Sequence, residues 1–161
     1  MKTAICELFG IDIPIVLAPM GIAVGPKLTA AVCNAGGLGT IPLWRADIET
    51  LRGQIREVKS LTSKPFAVNL NLDFPQEERL EACLQERVPV ISFFWGDPGK
   101  LVSRAKAGGA IVMQTVGSAQ EAQAAVGYGV DAVVAQGWEA GGHVCGEPLR
   151  LWRWCQRSLT L

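Results

Sequence analysis

Apolar residues gather along this chain in short continuous runs at 15–18, 38–43, 66–70, 90–94, 111–114 and 132–136, recurring roughly every 20 to 30 residues. Runs of this length without polar alternation are the pattern of parallel strands covered on the outside by helices. Between them, 48–60, 76–85, 101–107 and 119–128 carry helical patterning, each closed or followed by Gly or Pro. The pattern predicts a repeated βα unit and an α/β fold with about six strands. An open doubly wound sheet and a (β/α)8 barrel both fit that rhythm. A barrel needs eight strands and typically about 250 residues, so a barrel built by this chain is an incomplete one.

Two segments depart from the rhythm. Ala35-Gly36-Gly37-Leu38-Gly39-Thr40 has the look of a dinucleotide loop. It precedes the second run instead of following the first, and no Gly completes G-x-G-x-x-G, so it reads as helix termination and strand entry. From residue 147 to 161 the βα pattern stops, and Trp152, Arg153, Trp154 and Arg157 crowd together. That stretch reads either as a tail left by a frameshift or premature stop, or as a basic aromatic helix for a partner or a membrane surface. The domain organisation is then a barrel-like body over 1–146 and a divergent tail over 147–161.

Composition narrows the function classes. The 161 residues carry 15 basic and 15 acidic side chains, a formal net charge of zero. No basic block marks a nucleic-acid binder, and no apolar run approaches bilayer length, so neither nucleic acid nor membrane is an expected partner. The first residues hold Glu7, Asp12 and Pro14 in place of a continuous signal-type apolar stretch, and the expectation is a cytoplasmic protein. The cysteines at 6, 33, 83, 145 and 155 never form C-x-x-C, which disfavours structural zinc and a disulfide framework. His143 is the single histidine, so any acid–base work by imidazole falls to it. Cys145 would act as a nucleophile only with His143 in hydrogen-bond reach.

In parallel α/β folds ligands bind at the C-terminal ends of the strands. Those ends carry Ala18-Pro19-Met20-Gly21, Asn69-Leu70-Asn71, Gln114-Thr115 and Gln136-Gly137-Trp138-Glu139-Ala140-Gly141-Gly142-His143. Amides present both a donor and an acceptor, so Asn69, Gln114 and Gln136 suit the edge of a planar heterocycle or a ribityl chain, or else satisfy loop backbone. Gly21, Gly141 and Gly142 let backbone N–H groups approach a flat ring or phosphate, or merely permit a tight turn, while Met20 adds a soft apolar surface. His143 is placed to bind a substrate anion or accept a proton, and Glu139 is read as a structural carboxylate.

The segments Leu8-Phe9-Gly10-Ile11, Pro14-Ile15-Val16-Leu17-Ala18-Pro19-Met20-Gly21, Asn34-Ala35-Gly36-Gly37-Leu38-Gly39 and Gln136 to His143 resemble the nitronate monooxygenase family, formerly 2-nitropropane dioxygenases. The resemblance implies a TIM-type (β/α)8 barrel holding FMN non-covalently, with nitronate and dioxygen as substrates and no nicotinamide consumed. It sets Ala18, Pro19, Met20, Gly21, Gly141 and Gly142 beside the flavin, gives Asn69, Gln114 and Gln136 hydrogen bonds to it, and makes His143 the active-site histidine. Ser92-Phe93-Phe94-Trp95-Gly96 would wall the substrate pocket, at a place where some relatives carry a second histidine. The family's seventh and eighth strands, which hold the FMN phosphate, have no counterpart here, so the chain reads as a C-terminally truncated relative. Its open edges then invite self-association. Two rival readings stand beside oxidative denitrification: a flavin-dependent enoyl-acyl-carrier-protein reductase, and a non-catalytic half-barrel.

Overall fold

In the computed structural model, which describes residues 2–144, the apolar runs become strands β1 (Gly39–Pro42), β2 (Phe66–Asn71), β3 (Val90–Phe94), β4 (Ile111–Val116) and β5 (Ala132–Ala135). Six helices accompany them: α1 (Ala4–Phe9), α2 (Pro26–Asn34), α3 (Ile48–Leu61), α4 (Glu77–Gln85), α5 (Lys100–Ala107) and α6 (Ala119–Tyr128). The strands are parallel and lie in the order β1-β2-β3-β4-β5. An order that never reverses has no switch point, which is the winding of a barrel wall and excludes the doubly wound alternative. The first predicted strand contracts to a single parallel bridge, Val16 with Leu38. Leu17 N donates to Leu38 O, and Leu38 N donates to Ile15 O, each at 2.9 Å. Pro14 and Pro19 flank this bridge and supply no N–H with which to extend it. The predicted tail 147–161, with Cys145, lies outside the described residues.

Local chemistry sets the helix ends. Asp47 caps α3 by accepting from Thr50 N at 2.8 Å, and Leu51, Ile55 and Val58 fall on its buried face at helical spacing. Ser118 caps α6 by accepting from Glu121 N, while Glu121 reaches back to accept from Gly117 N, one residue before the cap. The helix before Gly36 and Gly37, expected only through its terminus, is α2. It approaches β1 so closely that a Cβ on Gly39 would sit 2.1 Å from Thr29 O. Only glycine fits there.

The sheet has two differently packed faces. Ile41, Val68, Leu70, Ile91, Phe93 and Val112 face the helix layer and meet Leu51, Ile55, Leu80 and Val102. Leu38, Ala67, Val90 and Met113 face the other way, toward the barrel interior, where α1 plugs the space with Cys6 and Phe9. Register aligns Pro42, Asn69, Ser92 and Met113 in one row across the wall. That row fixes which polar side chains reach the interior.

Candidate active site

A cavity of about 900 Å³ opens at the C-terminal ends of the strands. It is lined by Ala18, Pro19, Met20 and Gly21 from the loop after the Val16 bridge, by Asn69 of β2, and by Gln136, Gly141, Gly142 and His143 beyond β5. These are the residues singled out from the strand-end motifs, with one exception. Gln114 lies in register with Phe93, on the face that packs against helices. Its Nε2 donates to Gly96 O at 3.2 Å, and its Oε1 is buried without a partner. The expectation that three amides share one mouth is therefore corrected to two. Side chains alternate along a strand, so on β4 it is Met113 and Thr115 that border the neighbouring interior cavity of about 590 Å³.

The polar groups in the main cavity are held individually. Asn69 is buried, and its Nδ2 donates to Ser92 O at 3.2 Å and to Ser92 Oγ at 3.3 Å. Both of these bonds engage Nδ2, so the amide group that Asn69 has left to offer at the cavity is the Oδ1 acceptor. Gln136 Nε2 donates to His143 O at 2.9 Å, which draws the 136–143 loop back over the end of β5. The imidazole of His143 stands edge-on to the indole of Trp95, with ring centroids 5.7 Å apart at 76°. Trp95 in turn stacks on Phe94 at 4.7 Å. Its backbone is left-handed (φ 59°), followed by Gly96 at φ 62°. The expected wall at 92–96 is thus split: Phe94 and, beyond the strand, Trp95 line the cavity, whereas Phe93 is core and Ser92 borders the interior cavity that Phe94 also touches.

No Cβ built on Gly21, Gly141 or Gly142 meets another atom within 4 Å, so these glycines leave open space at the cavity wall. Glu139 borders the interior cavity and not the main one. Burial pushes the Cys83 thiol up to about 12 and raises Cys33, which keeps both out of nucleophilic chemistry. Among the described residues no group of His, Cys, Asp and Glu is arranged to hold a metal ion, and no helix is long and apolar enough to cross a membrane.

Sequence reasoning missed part of the rim. Trp44 and Arg45 follow β1, and Asp73 and Phe74 follow β2, all lining the same cavity. The rule that found Asn69 applies equally to the residues just after the run 38–43. These were passed over because a Trp and an Arg do not announce flavin chemistry.

The family described as nitronate monooxygenase matches residues 2–78 and 74–151. A protein of Rhodococcus jostii named (3aS,4S,5R,7aS)-5-hydroxy-7a-methyl-1-oxo-octahydro-1H-indene-4-carboxyl-CoA dehydrogenase is 38% identical over 144 residues, covering 89% of this chain and 41% of that protein. A nitronate monooxygenase of Paraburkholderia phytofirmans is 32% identical over 182 residues, covering 88% and 50%. The structure of FabK from Thermotoga maritima superposes with a TM-score of 0.92 at 36% identity, covering 98% of this chain and 50% of that one. The chain thus spans about half the length of the relatives it matches.

Proposed function

This chain belongs to the nitronate monooxygenase family, a family of oxidoreductases, and from that premise we propose that it serves FMN-dependent oxidative denitrification of alkyl nitronates by dioxygen. The observation that carries the reading is the meeting of His143, the Asn69 acceptor and three unobstructed glycines in one cavity of about 900 Å³. A flat heteroaromatic ring suits such a donor set. The glycines leave room for its face, Met20 and Phe94 give apolar contact, and Asn69 Oδ1 accepts from a ring N–H. Ala18, Pro19, Met20, Gly21, Gly141 and Gly142 would hold the ring, with Gln136 fixing the loop that carries two of these glycines. Gln114 enters only indirectly, by holding the turn that carries Trp95. When bound, FMN supplies the electron relay between nitronate and dioxygen.

The chain's own residues perform the remaining steps. A ring N–H of His143 hydrogen-bonds the nitronate oxygens. On a neutral nitroalkane, an unprotonated ring nitrogen of His143 takes the α proton. Trp95 limits how the imidazole turns, through its edge contact, and Phe94 and Trp95 keep water from that side. His143 is the single histidine of this sequence, and the acid–base work is assigned to it.

Oxygen uptake and nitrite release with propyl-2-nitronate test the proposal, and His143→Asn is expected to lower turnover by about 10²–10⁴-fold. Unchanged turnover in that variant would remove His143 from the mechanism. A second reading, reduction of an enoyl thioester with NAD(P)H, draws on the CoA thioester in the Rhodococcus relative's name. NAD(P)H oxidation driven by an enoyl thioester would favour it.

A further inference from the structure

We propose that Trp44, Arg45 and Phe74 form a subsite for an anionic group, a carboxylate or a phosphate, carried at the far end of an extended substrate. This rests on the reading of the 900 Å³ cavity as the substrate site and adds to it the class of substrate. The rings of Trp44 and Phe74 stack with centroids 5.3 Å apart at 24°, and the Arg45 guanidinium lies over them, 4.2 Å from the Trp44 centroid and 5.7 Å from that of Phe74. An aromatic face takes one side of the guanidinium plane and leaves the in-plane N–H fork free, which is the geometry that recognises carboxylate and phosphate.

The platform is built from within. Gln76 is buried at 1% exposure, and its Nε2 donates to Trp44 O at 3.3 Å and to Asn71 O at 2.8 Å, tying the loop after β1 to the loop after β2. Arg79 Nε adds a second tie, to Ala46 O at 2.8 Å. Two loops that bring one cation and two rings together are thereby fixed before any ligand arrives.

Among the described residues the Arg45 guanidinium is not neutralised by a carboxylate, a state it shares with Arg79, which also lines the outer depression but spends its N–H groups on the Ala46 and Pro75 carbonyls. Arg52, Arg56 and Arg104 each meet a glutamate, whereas Arg45 makes no ion pair among the described residues. Carboxylates are near: Asp73 shares the rim, and Glu77 and Glu78 line an outer depression of about 550 Å³ behind it. None of them pairs with Arg45. The same three platform residues border both that depression and the cavity holding His143. The platform thus stands at the rim of the cavity that holds His143, where the far end of an extended substrate would reach.

The test is binding at equilibrium without turnover. The intact chain, Arg45→Met and Arg45→Lys, each with an unchanged circular dichroism spectrum, are titrated calorimetrically with octanoate, octyl phosphate and octanol. The expected result is binding of an anionic probe that weakens at least tenfold in Arg45→Met and partly in Arg45→Lys, with octanol indifferent to either change. Preference for octyl phosphate identifies a phosphate-bearing substrate, and preference for octanoate a carboxylate. Equal affinity of the intact chain and Arg45→Met for every probe overturns the subsite. Failure of nitronate turnover with Arg45-dependent anion binding intact would overturn the functional reading alone.

Discussion

The centre and the flank of the sheet are built to different standards. All six residues of β2 are buried, and β3 is buried up to Ser92 and Phe93. On β5 no residue is fully buried, and Val133 and Val134 are each 40% exposed. The chemistry divides the same way. Asn69 sits in the rigid centre, whereas His143, Gly141 and Gly142 ride on an exposed loop beyond the flank strand. Stability and the candidate acid–base group therefore belong to different parts of the molecule, and a change in one need not reach the other.

The largest expected effect breaks that contrast or leaves it standing. Phe93→Ala empties a fully buried position and should cost about 3–5 kcal/mol in urea unfolding. Val133→Ala on the flank should cost under about 1 kcal/mol. Equal losses would mean that β5 is as integral to the core as β3. A middle-sized effect sharpens the division within the site. Asn69→Ala is expected to weaken flavin binding by about tenfold, the worth of roughly one hydrogen bond. Gln114→Leu should leave it within about threefold, because that side chain faces the helices. A reversed ranking would put Gln114 back among the ligands of the mouth.

The smallest effect concerns pH and the centre's outer layer. Hydrogen bonding from Arg56 holds the Glu86 carboxyl below its ordinary range, with burial opposing and Arg52 assisting. A depressed folded value means that the stability it adds is complete above the unfolded value of about 4.3 and is lost as pH falls through the folded one. Glu86→Gln should therefore flatten the acid limb of the stability curve while leaving flavin binding unchanged. An unaltered acid limb would show that the pair contributes nothing measurable, as exposed pairs often do.

Much of this arrangement was legible in the residues. The runs at 66–70, 90–94 and 111–114 became strands because a doubly covered strand needs apolar side chains on both faces, and 132–136 did so at the flank. The end of α2 announced itself through Gly36 and Gly37, whereas α1 has too few turns to show a period. The strand at 15–18 was overestimated because apolar content does not reveal where prolines cut the ladder. In the site, the strand-end rule found Asn69 and failed on Gln114 for a single reason. The row through Asn69 continues to Ser92 and then Met113, so Gln114 falls on the opposite face. Register between strands distant in sequence decides that parity, and no local pattern encodes it. The rim residues Arg45 and Phe74 escaped for a related reason, since their partnership is made by Gln76 joining two loops.

In the proposed reading the mouth assembled from Met20, Asn69, Gly141 and His143 receives a flavin. The most direct measurement is titration of FMN into the purified chain, followed by flavin absorbance and fluorescence. The expected result is saturable binding with a shifted spectrum, weakened in Asn69→Ala. A folded, soluble chain that leaves the flavin spectrum unchanged at every concentration would contradict it.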